Sequence, residues 1–266
     1  MVISDLFGLW DKSELFIIIE EVLGLKRHDI FLNPGYEIPD EKIDLIKDMI
    51  EKRKRHIPLQ YIIGKWWFYD FEIEIRPGVL IPRPETELLV EKAIQISRPG
   101  MNILDIGTGS GVIAIALAKH IKDANVFAVD KSEEAIELAK LNARKNSVDI
   151  DFRLGDLYNP VEGIKFDIIA TNPPYIESEY EGKLKPELSY EPHDALYSGE
   201  DGLDCIKEII EKSDYYINKK GIILIEIGFN QGKKVKEILD KKAYTDIEII
   251  KDYNGFDRLV KAEWHG

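Results

Sequence analysis

Asn172-Pro173-Pro174-Tyr175 is a stretch whose residue types answer a particular chemical problem. A planar amide or aniline nitrogen is a poor nucleophile, because its lone pair is delocalised into the adjoining π system. Two carbonyl acceptors aimed at its two N–H bonds hold such a nitrogen and draw electron density onto it. The Asn172 side-chain oxygen can supply one acceptor and the Pro173 carbonyl the other. The prolines restrict the backbone, so the acceptors are set before the reaction rather than gathered during it. Tyr175 offers a flat face to a substrate group and a cation–π surface to a positive charge. A proline-rich loop leaving a strand can also be plain structure, so the reading depends on where the loop sits in the fold.

A second segment, Asp105-Ile106-Gly107-Thr108-Gly109-Ser110-Gly111, follows an apolar run and opens a helix. Glycines at alternate positions let a backbone turn sharply and approach a ligand without interference from Cβ. Asp130 lies 19 residues beyond Gly111, just after the next apolar run. An acid there can accept both hydroxyls of a ribose. Together they point to a cofactor with an adenosine half. A dinucleotide fingerprint places its third glycine one residue later than this loop does.

These segments need a scaffold, and the apolar pattern supplies one. Ile103–Ile106, Val126–Val129, Ile150–Leu154, Phe166–Asn172 and Gly221–Ile227 read as strands. Helical stretches at Val112–His120, Ser132–Asn146 and Asp204–Lys212 alternate with them. Such βαβ alternation implies a parallel sheet with helices on both faces. Ile247–Tyr253 and Phe256–Trp264 flank Asn254-Gly255, a strong hairpin signal, so the sheet should end in an antiparallel edge. The fold class expected is thus α/β, mostly parallel. Asn172 then falls at the carboxyl end of the fourth strand and Gly107 at that of the first.

Residues before about Arg55 read as helical: Leu15, Ile18, Ile19, Val22 and Leu23 recur at helical spacing up to Gly24, and Pro39 opens a second amphipathic segment. Phe71, Ile73 and Ile75 alternate with acids, as a hairpin strand would. The division expected is a helical domain over 1–62, a hairpin linker over 63–84 and a catalytic domain over 85–266.

Composition narrows the partners. The 266 residues carry 36 basic and 49 acidic side chains, a net charge of −13, which disfavours general nucleic-acid binding. Lys52-Arg53-Lys54-Arg55 is a local basic exception, read as a solvated helix end. The single cysteine, Cys205, excludes an intrachain disulfide and reads as a buried small hydrophobe. The histidines show no metal-ligand spacing, so no metal is expected. No segment reaches the ~20 apolar residues of a membrane span, and the N-terminus lacks the basic head of a signal peptide. A cytoplasmic monomer is expected.

The glycine loop and C-terminal hairpin resemble those of class I S-adenosylmethionine-dependent methyltransferases, a seven-stranded Rossmann-like fold. Gly155-Asp156-Leu157 sits where that class contacts adenine. The tetrapeptide at Asn172 resembles the one shared by methyltransferases of exocyclic or amide nitrogens. Three further segments narrow the likeness: Gln60-Tyr61-Ile62-x-Gly64, Leu80-Ile-Pro-Arg-Pro-Glu-Thr-Glu87, and Glu191-Pro192-x-x-Ala195-Leu196-x-x-Gly199-x-Asp201-Gly202. With Asn172–Tyr175 they resemble the HemK/PrmC family, glutamine N5-methyltransferases of class-1 peptide chain release factors. A sister family, acting on a ribosomal protein, differs after the Pro-Arg pair, so Arg83–Glu87 favours the release-factor branch.

The resemblance implies that Gly107, Thr108, Gly109, Ser110, Gly111, Asp130, Asp156, Leu157 and Asn172 contact S-adenosylmethionine, which leaves as S-adenosylhomocysteine. It implies that Asn172, Pro173, Pro174 and Tyr175 hold the substrate glutamine, with Asn172, Pro173 and Tyr175 serving the chemistry. Leu157 stands where the family often has Trp, and Trp67 and Asp70 replace its usual Glu and Gly. The partner implied is a class-1 release factor, with no direct nucleic-acid contact. Arg83 and Glu85 either order the substrate loop or form a plain salt bridge. The alternatives are an N6-adenine methyltransferase, a nicotinamide-dependent oxidoreductase using the glycine loop, and a non-enzymatic adenosine-binding regulator.

Overall fold

The computed structural model describes residues 1–266. The chain divides into two units, Met1–Lys65 with Lys185–Tyr190, and Trp66–Leu184 with Glu191–Gly266.

The first unit holds helices α1 (Ile3–Leu6), α2 (Lys12–Leu23), α3 (Arg27–Leu32), α4 (Asp40–Lys54) and α5 (Leu59–Ile63). Asp11 caps α2 by accepting from the Ser13 and Glu14 amides, and Gly24 ends it in the left-handed conformation, as its position predicts. Leu15, Ile18 and Ile19 of α2 are buried, as are Ile46 and Ile50 of α4. In the basic run Lys52–Arg55, three side chains are engaged by acids. Lys52 pairs with Asp48 at 2.7 Å and Lys54 with Glu51 at 2.7 Å. Arg53 is buried: its Nε and Nη2 each donate to Glu14 at 2.9 Å, and Nη2 lies 3.3 Å from Glu187. Tyr190 donates to the Arg55 carbonyl at 2.7 Å, so residues 185–190 are held by this unit's own side chains.

A hairpin of β1 (Lys65–Phe68) and β2 (Phe71–Glu74) follows. The second unit then alternates α6 (Thr86–Ile96), β3 (Asn102–Ile106), α7 (Val112–His120), β4 (Asn125–Asp130), α8 (Glu133–Lys145), β5 (Asp151–Leu154), β6 (Phe166–Thr171), α9 (Asp204–Lys212), β7 (Ile217–Glu226), α10 (Gly232–Lys241), β8 (Tyr244–Lys251) and β9 (Asp257–Trp264). The seven-stranded sheet has the order β5-β4-β3-β6-β7-β9-β8. Only β9 runs antiparallel to its neighbours β7 and β8, which gives the expected α/β class with an antiparallel edge.

Two helices, α6 and α10, go beyond the elements expected from sequence. Both bury one apolar stripe, Leu89, Val90 and Ala93 in α6 and Val235 and Leu239 in α10. The strands β3 and β6, and β7 from Gly221 onward, are largely apolar runs because helices cover both faces. Glu226, at the end of β7, breaks that pattern and is nevertheless 1% exposed.

The hairpin is tied to α8 by one buried amide. Asn142 accepts from the Glu74 N–H at 2.7 Å and donates to the Glu74 carbonyl at 3.1 Å. It also donates to Ser110 of the glycine loop at 2.9 Å, so a single side chain sets hairpin and loop together.

Candidate active site

The strand register assembles the site. Ile106 of β3 pairs with Val129 of β4 on one side and Thr171 of β6 on the other. The next residues along each chain, Gly107, Asp130 and Asn172, lie at or just beyond the carboxyl edge of the sheet. Strand order reverses between β3 and β6, and in open parallel sheets that reversal leaves a crevice for ligands.

A cavity of about 1120 Å³ opens there. Gly107, Thr108, Gly109 and Ser110 form one wall, Asp130, Asp156 and Leu157 another, and Asn172, Pro173 and Pro174 a third. Gly107 and Gly109 have φ of +70° and +56°. A Cβ on Gly107 would meet nothing within 4 Å, and one on Gly109 only Val79 at 3.9 Å. Their bare backbone therefore cradles open space. Gly111 differs from them. It caps α7, and a Cβ there would lie 3.0 Å from that of Ala139. Gly111 is not among the residues lining the cavity, and its backbone packs against α8.

The loop is fixed from beneath. Asp105 accepts from the Thr108 hydroxyl at 2.7 Å and from the Ala114 amide at 3.2 Å. Burial pushes its carboxyl up to about 7 against those hydrogen bonds, and the nearby Asp130 charge adds to the rise. Asp130 accepts from Gly109 N at 2.8 Å and Ser132 N at 2.9 Å, one on each oxygen. Each oxygen keeps a further lone pair, which suits it to a diol. Burial raises its pKa while the two backbone donors oppose the rise.

The charge of the cavity distinguishes between cofactors. Asp130, Glu134, Asp156, Asp194, Asp204 and Glu208 line it, with Lys131 the cation among them, paired to Asp194 at 2.9 Å. Acidic walls repel a pyrophosphate and favour a cationic sulfonium and ammonium. The open glycine cradle, a carboxylate at ribose distance in sequence, and acid walls fit S-adenosylmethionine. Cys205 is half-buried and faces the same cavity, where the sequence suggests a core position. Burial pushes its thiol up to about 11, so it is an uncharged wall near neutral pH.

Asn172 has a fixed orientation. Its Nδ2 donates to the Thr86 hydroxyl at 3.0 Å, leaving Oδ1 as the remaining polar atom of the amide. Tyr175 takes a different place from the one expected. It does not line the cavity; its ring packs on the main core and its hydroxyl donates to Glu226 at 3.3 Å. The reason lies one residue further on in the fold. The Tyr175 carbonyl accepts from Gln231 Nε2 at 2.9 Å, and Gly202, at φ +67°, passes so close that a Cβ would lie 2.2 Å from that oxygen. This clamp turns the tyrosine toward the sheet.

Thr86, Glu226, Gln231 and Asn142 are thus functional supports that motif reading does not name. One signal was present for Glu226, a lone acid inside the apolar run Ile222–Ile227. Thr86 lies within the quoted Arg83–Glu87 motif. The fates of Arg83 and Glu85 separate: Arg83 pairs with Glu191 at 2.7 Å, while Glu85 precedes α6.

The fold and this site define a class I S-adenosylmethionine-dependent methyltransferase. Residues 84–199 match the family described as Methyltransferase small domain, and residues 11–64 match the PrmC N-terminal domain. The release factor glutamine methyltransferase of Thermodesulfovibrio yellowstonii is 42% identical over 250 residues, covering 91% of this chain and 89% of its own. That of Aquifex aeolicus is 36% identical over 256 residues, covering 95% and 91%. The chain belongs to the release factor glutamine methyltransferase family. Among solved structures, the 16S rRNA N2 G1207 methyltransferase of T. thermophilus, in complex with AdoMet and guanosine, shares the fold with TM-score 0.57, at 18% identity over 76% of this chain and 50% of that one. The ribosomal protein L11 methylase of Lactobacillus delbrueckii does so with TM-score 0.54, at 24% identity over 73% and 86%.

Proposed function

We propose that this protein methylates the side-chain amide nitrogen of a glutamine in class-1 peptide chain release factors. The observation that carries the reading is the Asn172 amide, held through Nδ2 by Thr86 so that its oxygen is left for a substrate N–H. S-adenosylmethionine, when bound, supplies a methyl group already activated by its sulfonium. Gly107 to Ser110 would receive it along the bare backbone, with Asp130 on the ribose and Asp156 and Leu157 beside the adenine.

Asn172 Oδ1 and the Pro173 carbonyl take the two N–H bonds of the glutamine amide. That pair of acceptors orients the nitrogen lone pair and offsets its delocalisation. Positioning supplies most of the acceleration. The amide nitrogen gains the methyl group and releases one proton to water afterwards, so no strong base is needed. Tyr175 supports the loop from behind instead of stacking on the substrate. The helical N-terminal unit is the part available to recognise the folded release factor.

A protein substrate is favoured over adenine by charge. The net charge is −13, and three of the four basic residues Lys52–Arg55 are paired with Asp48, Glu51, Glu14 and Glu187. The test is incubation with methyl-labelled S-adenosylmethionine and a purified class-1 release factor, beside total RNA and DNA. Label on a release-factor glutamine is the expected result. Label in nucleic acid alone would overturn the reading.

A further inference from the structure

Beyond Asn172–Tyr175 the chain returns to the cofactor cavity as a strap. Pro192, His193, Asp194, Ala195, Tyr197 and Ser198 all line that cavity. Both ends of the strap are tied down. At one end the buried Glu191 carboxylate accepts from the Ile81 N–H at 3.1 Å and from Arg83 at 2.7 Å. At the other, the Ile176 N–H donates to the Leu196 carbonyl at 2.8 Å, and the Ser198 N–H donates to the Ile176 carbonyl at 3.0 Å. Between these anchors His193–Ala195 form a short helical turn, and His193 stacks on Tyr197 with ring centroids 4.7 Å apart. The middle of the strap is therefore one compact piece carried on two fixed ends.

One polar contact joins that piece to the wall at the end of β4. Lys131 follows Asp130 there, and its Nζ donates to Asp194 at 2.9 Å. His193 also faces Glu181 at 3.4 Å, but Glu181 does not line the cavity. Lys131 and Asp194 are 57% and 73% exposed, so water and salt reach their contact. Such a pair adds little to the stability of the fold and opens readily. Its place matters more than its strength. The other acids lining the cavity are Asp130, Glu134, Asp156, Asp204 and Glu208, which repel an acid on the strap. Lys131 turns that repulsion into a closed rim.

We infer that Lys131 and Asp194 are the latch of this strap, which sets how fast S-adenosylmethionine enters the cavity and S-adenosylhomocysteine leaves it. The pair joins protein to protein, so breaking it lowers the barrier in both directions and leaves affinity nearly unchanged. A direct contact to the ligand behaves otherwise, changing affinity mainly through the dissociation rate. The inference concerns the cofactor alone and holds whichever nitrogen receives the methyl group.

The test is the association and dissociation of labelled S-adenosylhomocysteine, followed by rapid filtration on the full chain. That ligand carries no sulfonium, which limits its direct attraction to the acidic walls. Asp194→Asn should raise both rates by about 3- to 5-fold, the scale of an exposed ion pair, with Kd within about 2-fold of wild type. Lys131→Glu should raise both by about 5-fold or more. Adding Asp194→Lys to it restores the pair in reverse and should return both rates to within about 2-fold of wild type. Added salt should speed exchange in wild type and leave Asp194→Asn unchanged. Wild-type rates in Asp194→Asn would overturn the inference, as would an equal salt response in the two proteins. Faster dissociation with unchanged association would make Asp194 a ligand contact and not a latch. Failure of the reversed pair to restore the rates would likewise sink it.

Discussion

The Arg83 guanidinium lies 2.7 Å from Glu191 Oε1, while Oε2 of the same carboxylate accepts the Ile81 N–H at 3.1 Å. The Glu191 side chain is only 2% exposed. One buried acid thus joins the Pro-Arg-Pro loop ahead of α6 to the segment that follows Asn172–Tyr175. Since α6 begins with Thr86, the loop that holds Asn172 is itself held by this pair. Removing one partner of a buried pair leaves the other uncompensated. Glu191→Ala is expected to cost about 3 kcal/mol in chemical denaturation, with Glu191→Gln milder because it still accepts from one donor. A loss below about 1 kcal/mol for Glu191→Ala would show the pair to be incidental.

The glycines of the Gly107–Gly111 loop should separate by experiment. Gly111→Ala presses a methyl against Ala139 at φ +88° and should lower stability by about 2–3 kcal/mol. Gly107→Ala meets no neighbour, so its cost is the backbone conformation alone, about 1–2 kcal/mol. Its methyl would instead project into ligand space and weaken S-adenosylmethionine binding by about 10-fold or more. Thermal melts and calorimetry on the pair decide it; equal effects on binding would contradict the division of roles.

Much of the fold and the centre of the site was legible from residue pattern. Period, glycine spacing and the Asn254-Gly255 turn specify the sheet, because each is a local signal. Gly107, Asp130 and Asn172 follow from strand ends, which parallel register brings side by side. Tyr175 was not legible in this sense. Its direction depends on Gln231 and Gly202, residues 27 or more positions away, and no local preference encodes such a clamp. Gly111 looks like its two neighbours in sequence, and only the approach of α8 shows that it serves packing. Thr86 reaches Asn172 and Glu226 reaches Tyr175 through tertiary structure alone, although an acid in an apolar run was a visible irregularity.

Burial makes Glu226 a source of pH dependence. Desolvation pushes its carboxyl up to about 7, opposed by Thr86, Arg258 and Tyr175, with Glu85 adding to the rise. The folded pKa lies above the unfolded value near 4.5. Between these values the unfolded chain gives up a proton that the folded chain keeps. The contribution to stability is therefore complete below the unfolded value and is lost as pH rises through about 7. Asp105 behaves likewise, from 3.8 to about 7. Glu226→Gln does not titrate, so its stability relative to wild type should improve by about 2–3 kcal/mol between pH 5 and pH 8. Parallel denaturation curves for the two proteins at both pH values check this; a constant difference would place the folded pKa near the ordinary carboxylate range.

Asp130 and Asn172 should fail in different ways, because one faces the cofactor and the other the nitrogen. Asp130 anchors Gly109 and Ser132 with one oxygen each and has lone pairs left for the ribose. Asp130→Ala removes both the anchor and the acceptor, and S-adenosylmethionine affinity should fall by about 10- to 100-fold. Asn172→Ala removes the oxygen that holds the glutamine while leaving the glycine loop untouched. Its kcat should fall by about 100-fold or more, with cofactor affinity changed far less. Calorimetry with S-adenosylmethionine and single-turnover methylation of a release factor separate the two. If Asn172→Ala lost binding and kept its single-turnover rate, the asparagine would belong to the cofactor site, and the nitrogen would have to be held by the Pro173 carbonyl alone.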